Sequence, residues 1–581
     1  MCSALSPAEQ SVPLDSVAQL PSKPDWECQT PTPTPKPGRL GRWVRTIFHH
    51  LRRHTGLGAV CAVAYFDPGN WSVDLQAGSE YGYKLLFVVL LAGLMAVVFQ
   101  SMASRLGCVT GLDLAAHCRL LLYNRTSHPR LCRWLVLYPL YALAEVAIIS
   151  TDLAELLGSA TALSLLFPSL PLWAGVLITA SDVFIILAFC SPRRGANRPQ
   201  RVFELLISVL VLAVFLCLIF VITQVKPDWG DTFLGFVPSS TIVKPGALYV
   251  SIGIVGATVM PHGLFLGSSL ATQNRVLEFS DEETASESEK AESLPAPASS
   301  ASDRKFRFSS LKLNKHWLRS ALQSWRIEGS EEADLPDDNA GHSGWMNNSL
   351  AFVRAHLTHG IVDIVLSLLG FAVVINSLIL IIASAVFFYA SSGEDTSVAD
   401  LFEAYALIRA RVGKAAAVLF ALALLCAGES AGITATLAGQ IVSEGFLKWH
   451  VSPVIRRALT RLIGLVPAML VASIMGRSGL NALLVASQVV LSFVLPFVAF
   501  PLVWLTSSSK VMLVRRESGS CGRVDGASDP SEEARGPENV DGKAPDFSNG
   551  KIVMLLGYTI WLVVLIANVY VLVTLAMGED G

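Results

Sequence analysis

Charge is scarce in this chain. Only 15% of its 581 residues are Asp, Glu, Lys or Arg, against about a quarter in soluble domains. The formal net charge is −2 and no basic block with interleaved aromatics occurs, which argues against a nucleic-acid partner. The ten cysteines form no CxxC pair. Cys61, Cys190, Cys217 and Cys426 sit inside apolar runs, as small core residues rather than disulfides or zinc ligands. There is no HExxH and no phosphate-binding glycine loop, so these enzyme motifs are missing and no cofactor is implied. No cleavable signal peptide is visible, because roughly the first 40 residues are polar and proline-rich. The PTPTPKPG stretch before Arg39 reads as a disordered tail.

What the chain has instead is length in its apolar runs. Hydrophobic residues make up 52% of it, and a run of about 20 spans the hydrocarbon core as a helix. Eleven such runs lie near 55–76, 84–103, 134–157, 171–190, 202–224, 246–270, 359–390, 414–438, 458–475, 480–506 and 552–576. Several are too long and uncharged to be buried soluble helices. The expectation is an all-α polytopic membrane protein with about eleven transmembrane helices.

Positive charge gathers in alternate loops. Arg39, Arg42, Arg45, Arg52 and Arg53 precede the first run, and Arg105, Arg119, Arg125, Arg130 and Arg133 follow the second. Arg193, Arg194, Arg198 and Arg201 follow the fourth, and Lys448, Arg456 and Arg457 the eighth. The positive-inside rule then puts the N-terminus in the cytoplasm and, with an odd number of spans, the C-terminus outside. The expected organisation is a disordered tail (1–50), the first repeat plus helix six (51–271), a cytoplasmic insertion (272–350), helices seven to ten (351–507), a cytoplasmic linker (508–549) and a terminal helix (550–581). Within the first insertion, SSLKLNKHWLRSALQSWR has the spacing of an amphipathic helix on the inner leaflet, or equally of a transient helix in a linker. Ubiquitin-type or trafficking regulators of the cytoplasmic segments are candidate partners, beside the lipid bilayer itself.

Two spans carry breaks. In the first, GAVCAVAYFDPGNWSVDLQAG places Asp67 mid-span with Pro68-Gly69 after it; in the sixth, GIVGATVMPHGLFLGSSL places Pro261 mid-span. A proline has no amide hydrogen and clashes with the carbonyl four residues earlier, so the carbonyls of Ala64 and Ala257 lose their helical partners. In lipid such groups are tolerated only where they face protein or a water-filled cavity. Interrupted helices at matching places five spans apart mark an inverted-repeat transporter with a midplane site. Asp67 and Asn70 supply oxygen. Met260, three residues after Ala257 and so expected on the same side of its helix, supplies a thioether. Oxygen with one soft sulfur suits later first-row metals better than Mg2+ or Ca2+. A lone DPGN is more often a turn and a lone Met usually packing. A mid-membrane Asp is different, because its cost makes function the default.

Span three adds Glu145, Asp152 and Glu155, which fall within about a quarter of the helix circumference. Such a stripe reads as a proton relay or as structural ion pairs, for instance of Asp152 or Glu155 with Arg461. His262, beside the break, is a candidate pH sensor, relay member or hydrogen-bonded anchor of the broken end.

DPGN and MPH resemble the paired motifs of the Nramp family of proton-coupled divalent metal transporters. RLGCVTGLDLAAHCR, AEVAIISTDLAELLG, AGITATLAGQIVSEGF, TRLIGLVPA and SQVVLSFVLPF agree with it. The likeness runs from about Gly56 to Leu505 outside the insertion, and LFLGS with the long insertions is similar to fungal members. It implies a LeuT-type fold, with spans 1–5 and 6–10 as inverted repeats, carrying Mn2+ or Fe2+ with protons in a plasma, endosomal or vacuolar membrane. It implies metal ligation by Asp67, Asn70, Met260 and the carbonyls of Ala257 and Ala64, with Gln488 and Asn376 as polar neighbours. It further implies a polar path from the site along span three to basic residues of span nine, for which Arg456, Arg457 and Arg461 are candidates. Two positions depart from the family pattern. Gly263 replaces a usual Asn, and Glu429 stands where Gln is usual, adding a proton site, altering selectivity, or replacing Gln as a protonated hydrogen-bonding group. A sodium-coupled amino acid carrier on the same fold fits Asp67 and Met260 poorly, and a non-transporting metal sensor has only the insertions in its favour.

The sequons at Asn124 and Asn347 fall on the cytoplasmic side of this topology. Enzymatic deglycosylation of the protein from a eukaryotic host should therefore leave its electrophoretic mobility unchanged, and a shift would reverse the orientation.

Overall fold

The computed structural model describes residues 57–124, 128–181, 197–273, 345–389, 400–448, 453–514 and 545–577. The tail, the amphipathic segment of the first insertion and most of the second linker lie outside them. Among the described residues the regular structure is helical, apart from one isolated bridge between Leu513 and Asp546.

The first span is split into α1 (Leu57–Val63) and α2 (Pro68–Tyr81), and α3 (Leu86–Thr110) is the second. After the short α4 (Leu114–Leu122), the third span is α5 (Tyr138–Leu166), then α6 (Leu172–Ala180) and α7 (Asn197–Val225). The sixth is split into α8 (Pro245–Thr258) and α9 (Pro261–Leu270). The seventh comprises α10 (Leu350–Ser367) and α11 (Val373–Ala383), joined through a π turn at Leu368–Ala372. After α12 (Leu401–Arg411) come α13 (Lys414–Leu447), α14 (Pro453–Leu470), α15 (Gly476–Ser507) and α16 (Lys551–Ala576).

Among the described residues each of the eleven expected runs contains helix. Eight helices among the described residues are long and apolar enough to cross a membrane. The other three runs fall short for separate reasons. The first is broken, the fourth is described only to Ser181, and the ninth is apolar only over Ala458–Ile474.

Small residues let the helices approach without a hydrophobic driving force between them. A Cβ on Gly158 of α5 would strike the Pro68 side chain, and one on Gly428 of α13 would come within 3.3 Å of the Pro68 ring. The break in span one is thus wedged between spans three and eight. Backbone groups freed by other prolines are also answered. Pro496 leaves the Ser492 carbonyl of α15 without its helical donor, and Asn568 Nδ2 of α16 donates to it at 2.7 Å. The Asn568 carbonyl oxygen in turn accepts from Ser492 Oγ at 3.0 Å. That pairing docks the last helix, most of whose other residues stay exposed for lipid.

Gly158→Leu should push Pro68 away and lower the thermal midpoint in detergent, with overpacking of about 1–3 kcal/mol. Gly158→Ala should cost less, and equal midpoints for both variants and wild type would contradict the wedge.

Candidate functional site

Both breaks occur where the prolines require them. Between α1 and α2 the chain leaves the helix at Ala64, with turn bonds from the amides of Ala64, Tyr65 and Phe66 to Cys61, Ala62 and Val63. Asp67 is extended (φ −65, ψ 169) and N-caps α2, its Oδ1 accepting from the Asn70 amide at 2.8 Å. One carboxylate oxygen is thereby fixed by the cap, and the cap holds a negative group at the positive end of a 14-residue helix. The other oxygen, Oδ2, is buried with no hydrogen-bond partner, and Asp67 is fully buried.

The second break corrects one expectation. Helix α8 ends at Thr258, and Val259 (φ −102, ψ 66) and Met260 (φ −69, ψ 127) are not helical. Met260 therefore does not share a helical face with Ala257 by the three-residue rule. It caps α9 from an extended segment, which turns its side chain independently of the helix before it. Met260 is fully buried.

The two breaks meet at Gly263, where a Cβ would lie 3.8 Å from the Ala64 Cβ and from the Tyr65 hydroxyl, and 4.0 Å from the Met260 Cβ. These are ordinary contacts, so the departure at Gly263 leaves room beside the Ala64 turn. Gln488 of α15 folds its amide over Gly69, where any Cβ would collide with it. Its Oε1 is buried without a partner, while its Nε2 donates to Ser487 Oγ at 3.1 Å. Asn376 of α11 donates through Nδ2 to the Tyr65 carbonyl at 2.8 Å, which satisfies one backbone group of the unwound segment. Asn70 is buried and its side-chain Nδ2 has no partner. A buried carboxylate oxygen, two amides and a thioether, set around two interrupted helices, are donor types that suit a divalent transition-metal ion. Among the described residues no cluster of three His, Cys, Asp or Glu could hold a metal. Amide, carbonyl and sulfur donors, with Asp67 alone contributing charge, would have to suffice.

Polar residues that sequence reasoning passed over line the same region. The Tyr65 hydroxyl donates to Gln100 Oε1 at 3.2 Å, and Gln100 Nε2 approaches Cys61 Sγ at 3.1 Å. A glutamine inside an apolar run was the available signal. His262 Nδ1 lies 3.3 Å from Thr151 Oγ1, so the ring is tied to α5 next to Asp152.

The carboxylates of α5 form a stripe that faces α14. Arg456 binds both Glu145 oxygens, at 2.7 and 2.9 Å. Arg461 lies 3.4 Å from Asp152 Oδ1 and 3.9 Å from Glu155 Oε2, and donates to the Asp152 carbonyl at 3.3 Å. The side chains of Arg461, Asp152 and Glu155 are all nearly inaccessible. A small cavity beside them, with room for about one water, is lined by Asp152, Thr436, Arg456 and Thr460. The side chain of Arg457 lies outside the described residues. Glu429 is half-buried on α13, beside the Gly428 that packs on Pro68.

The sequence profile described as natural resistance-associated macrophage protein-like matches residues 58–300 and 338–519. The manganese transporter pdt1 of Schizosaccharomyces pombe is 40% identical over 524 residues, covering 90% of this chain and 85% of that protein. The iron transporter SMF3 of Saccharomyces cerevisiae is 35% identical over 536 residues, covering 92% and 98% respectively. The crystal structure of a manganese transporter mutant from Eremococcus coleocola superimposes with a TM-score of 0.60 at 27% identity, covering 92% of this chain and 88% of that one.

Arg456→Ala strands the Glu145 carboxylate and Glu145→Ala strands the Arg456 guanidinium, so each should lower stability. A double-mutant cycle read by thermal unfolding should give a coupling of about 1–3 kcal/mol, whereas one within about 0.5 kcal/mol of zero would show no net pairing.

Proposed function

The chain belongs to the Nramp family of divalent metal transporters, and we propose that it moves Mn2+ or Fe2+ together with protons through the paired breaks of its first and sixth spans. The observation that carries this reading is Asp67 Oδ2, a fully buried carboxylate oxygen without a partner at the point where span one is interrupted. Leaving such an oxygen unanswered in the membrane is costly, and a cation or a proton answers it.

In this reading Asp67 Oδ2, Asn70, Met260 and the carbonyls of Ala64 and Ala257 hold the ion, with Gln488 beside it. The carbonyls are available because Pro68 and Pro261 have no amide hydrogen to offer them. The sulfur of Met260 favours transition metals over the harder Ca2+ and Mg2+. Metal and proton compete for Asp67: a divalent cation stabilises its charged form, and departure of the metal favours protonation. That exclusion couples the two fluxes.

The α5 stripe is the proposed proton route. His262 is tied to Thr151, which precedes Asp152 on α5, and the small cavity opens between Asp152 and Arg456. From there the path continues to Glu145, with Arg461, Arg456 and Arg457 setting the potential along it. Arg456 and Arg461 also lock α14 onto α5, so ion pairing and relay are compatible duties. Asn376 and Glu429 are the proposed modifiers of selectivity. The N-terminus is assigned to the cytoplasm of a plasma, endosomal or vacuolar membrane, with the hydrophilic segments open to ubiquitin-type or trafficking regulators.

The test is Mn2+ influx into proteoliposomes of purified protein at acidic and neutral external pH, with interior acidification followed in parallel. Wild type should show acid-stimulated influx with proton entry, and Asp67→Ala should fall to the level of protein-free vesicles. Influx that persists in Asp67→Ala would remove this residue from the centre of the mechanism.

A further inference from the structure

The start of span three carries cations that the transport path does not use. Helical turns at Pro129–Cys132 and Arg133–Leu137 run into α5, making one helix of 38 residues from Pro129 to Leu166. At 1.5 Å per residue that is about 57 Å, against about 30 Å of hydrocarbon, so the helix extends beyond the bilayer core. On its first turns Leu131, Trp134 and Leu135 are 58%, 70% and 66% exposed. Trp134 packs edge-on against Tyr138, with ring centroids 5.2 Å apart. Exposed indole and phenol rings at the end of a span mark the headgroup level. Arg130 and Arg133, on the turn before Trp134, stand at the level of the lipid phosphates.

Arg133 is held in place. Its Nε donates to the Tyr123 carbonyl at 2.6 Å and its Nη2 to Asn124 Oδ1 at 2.5 Å. Its guanidinium carbon lies 3.7 Å from the centroid of the Tyr123 ring, and that of Arg119 lies 3.9 Å from the same centroid. One ring thus carries two cations. Arg119 also donates to the Phe446 carbonyl at 2.7 Å, near the end of α13. Arg130 is exposed and precedes Arg133 by three residues, a spacing that makes the two neighbours on the helix surface. Among the described residues no carboxylate pairs with Arg130 or Arg133. Stacking and two hydrogen bonds fix the plane of the Arg133 guanidinium, and a fixed guanidinium suits a phosphate oxygen.

We propose that Arg130 and Arg133 bind an anionic phospholipid of the cytoplasmic leaflet, its phosphate on the two guanidiniums and its acyl chains along the adjoining Leu131, Trp134 and Leu135. That leaflet holds the anionic headgroups, and two cations without acidic partners favour a net-negative headgroup over a zwitterionic one. Lipid bound there braces the start of span three and, through Tyr123 and Arg119, the end of α13. The choice of leaflet rests on the cytoplasmic orientation proposed above. The site itself does not depend on metal transport.

Native mass spectrometry of the purified full-length protein in detergent, titrated with phosphatidylserine, phosphatidylcholine or inorganic phosphate, tests this directly. Wild type should take up phosphatidylserine at a concentration about tenfold below that needed for phosphatidylcholine. Arg130→Gln and Arg133→Gln should each weaken phosphatidylserine by about tenfold and leave phosphatidylcholine unchanged. Arg130, which makes no polar contact with the described protein, decides the matter should Arg133→Gln not fold. Equal affinity of wild type for the two lipids, or phosphatidylserine binding that survives Arg130→Gln unchanged, overturns the site. Inorganic phosphate bound as tightly as phosphatidylserine assigns it to a free anion and overturns the lipid. Binding in detergent is measured without regard to sidedness or flux, so failure here leaves the orientation and the transport reading to their own tests.

Discussion

A backbone carbonyl in hydrocarbon must find a donor or a cation, and two prolines in this chain remove the donors from two carbonyls near the middle of the bilayer. Much else in the structure answers that constraint. Pro68 frees Ala64 and Pro261 frees Ala257, and each proline then begins a new helix whose first residue needs no amide. Asp67 caps one of these helices and keeps one oxygen back. Asn376 reaches across from α11 to satisfy the neighbouring Tyr65 carbonyl, so the groups around the break are sorted into those answered by protein and those, such as Asp67 Oδ2, left without a partner.

The same economy governs the surroundings. Pro68 can sit inside the bundle because Gly158 and Gly428 present no side chain to it. Asn568 answers the carbonyl that Pro496 exposes, which gives α16 a specific dock although most of its surface faces outward. Charge is treated alike. The carboxylates of α5 are not scattered but face a pair of arginines on α14, one at each level of the stripe. Buried ion pairs of this kind contribute little net stability over apolar packing, yet removing one partner is costly, which makes them selective for one helix arrangement.

Legibility from the sequence followed the range of the interaction. The interruptions at Asp67-Pro68 and Met260-Pro261 were visible because proline acts on its own helix within four residues. The α5 stripe was visible because helical periodicity orders Glu145, Asp152 and Glu155 without reference to anything else. The pairing of Arg461 with Asp152 and Glu155 was open as one alternative, and the structure contains it; the partner of Glu145 was not specified. Met260 was misplaced on a helical face because the rule of three residues fails once the helix has ended. Tyr65, Gln100 and Thr151 escaped notice, since each has meaning only through a residue on another span.

By itself, the sequence determined that this is a helical membrane protein with interrupted first and sixth spans, because chain length, hydropathy and proline chemistry are local and additive. Tertiary structure alone decided which oxygen of Asp67 stays free, which carbonyl Asn376 covers, how Gln488 lies over Gly69, and which arginine meets which acid. Those outcomes depend on contacts between residues separated by hundreds of positions. No periodicity along the chain encodes them. They follow from the rotation and depth at which one helix packs on the next, and that is set by the summed fit of many small contacts.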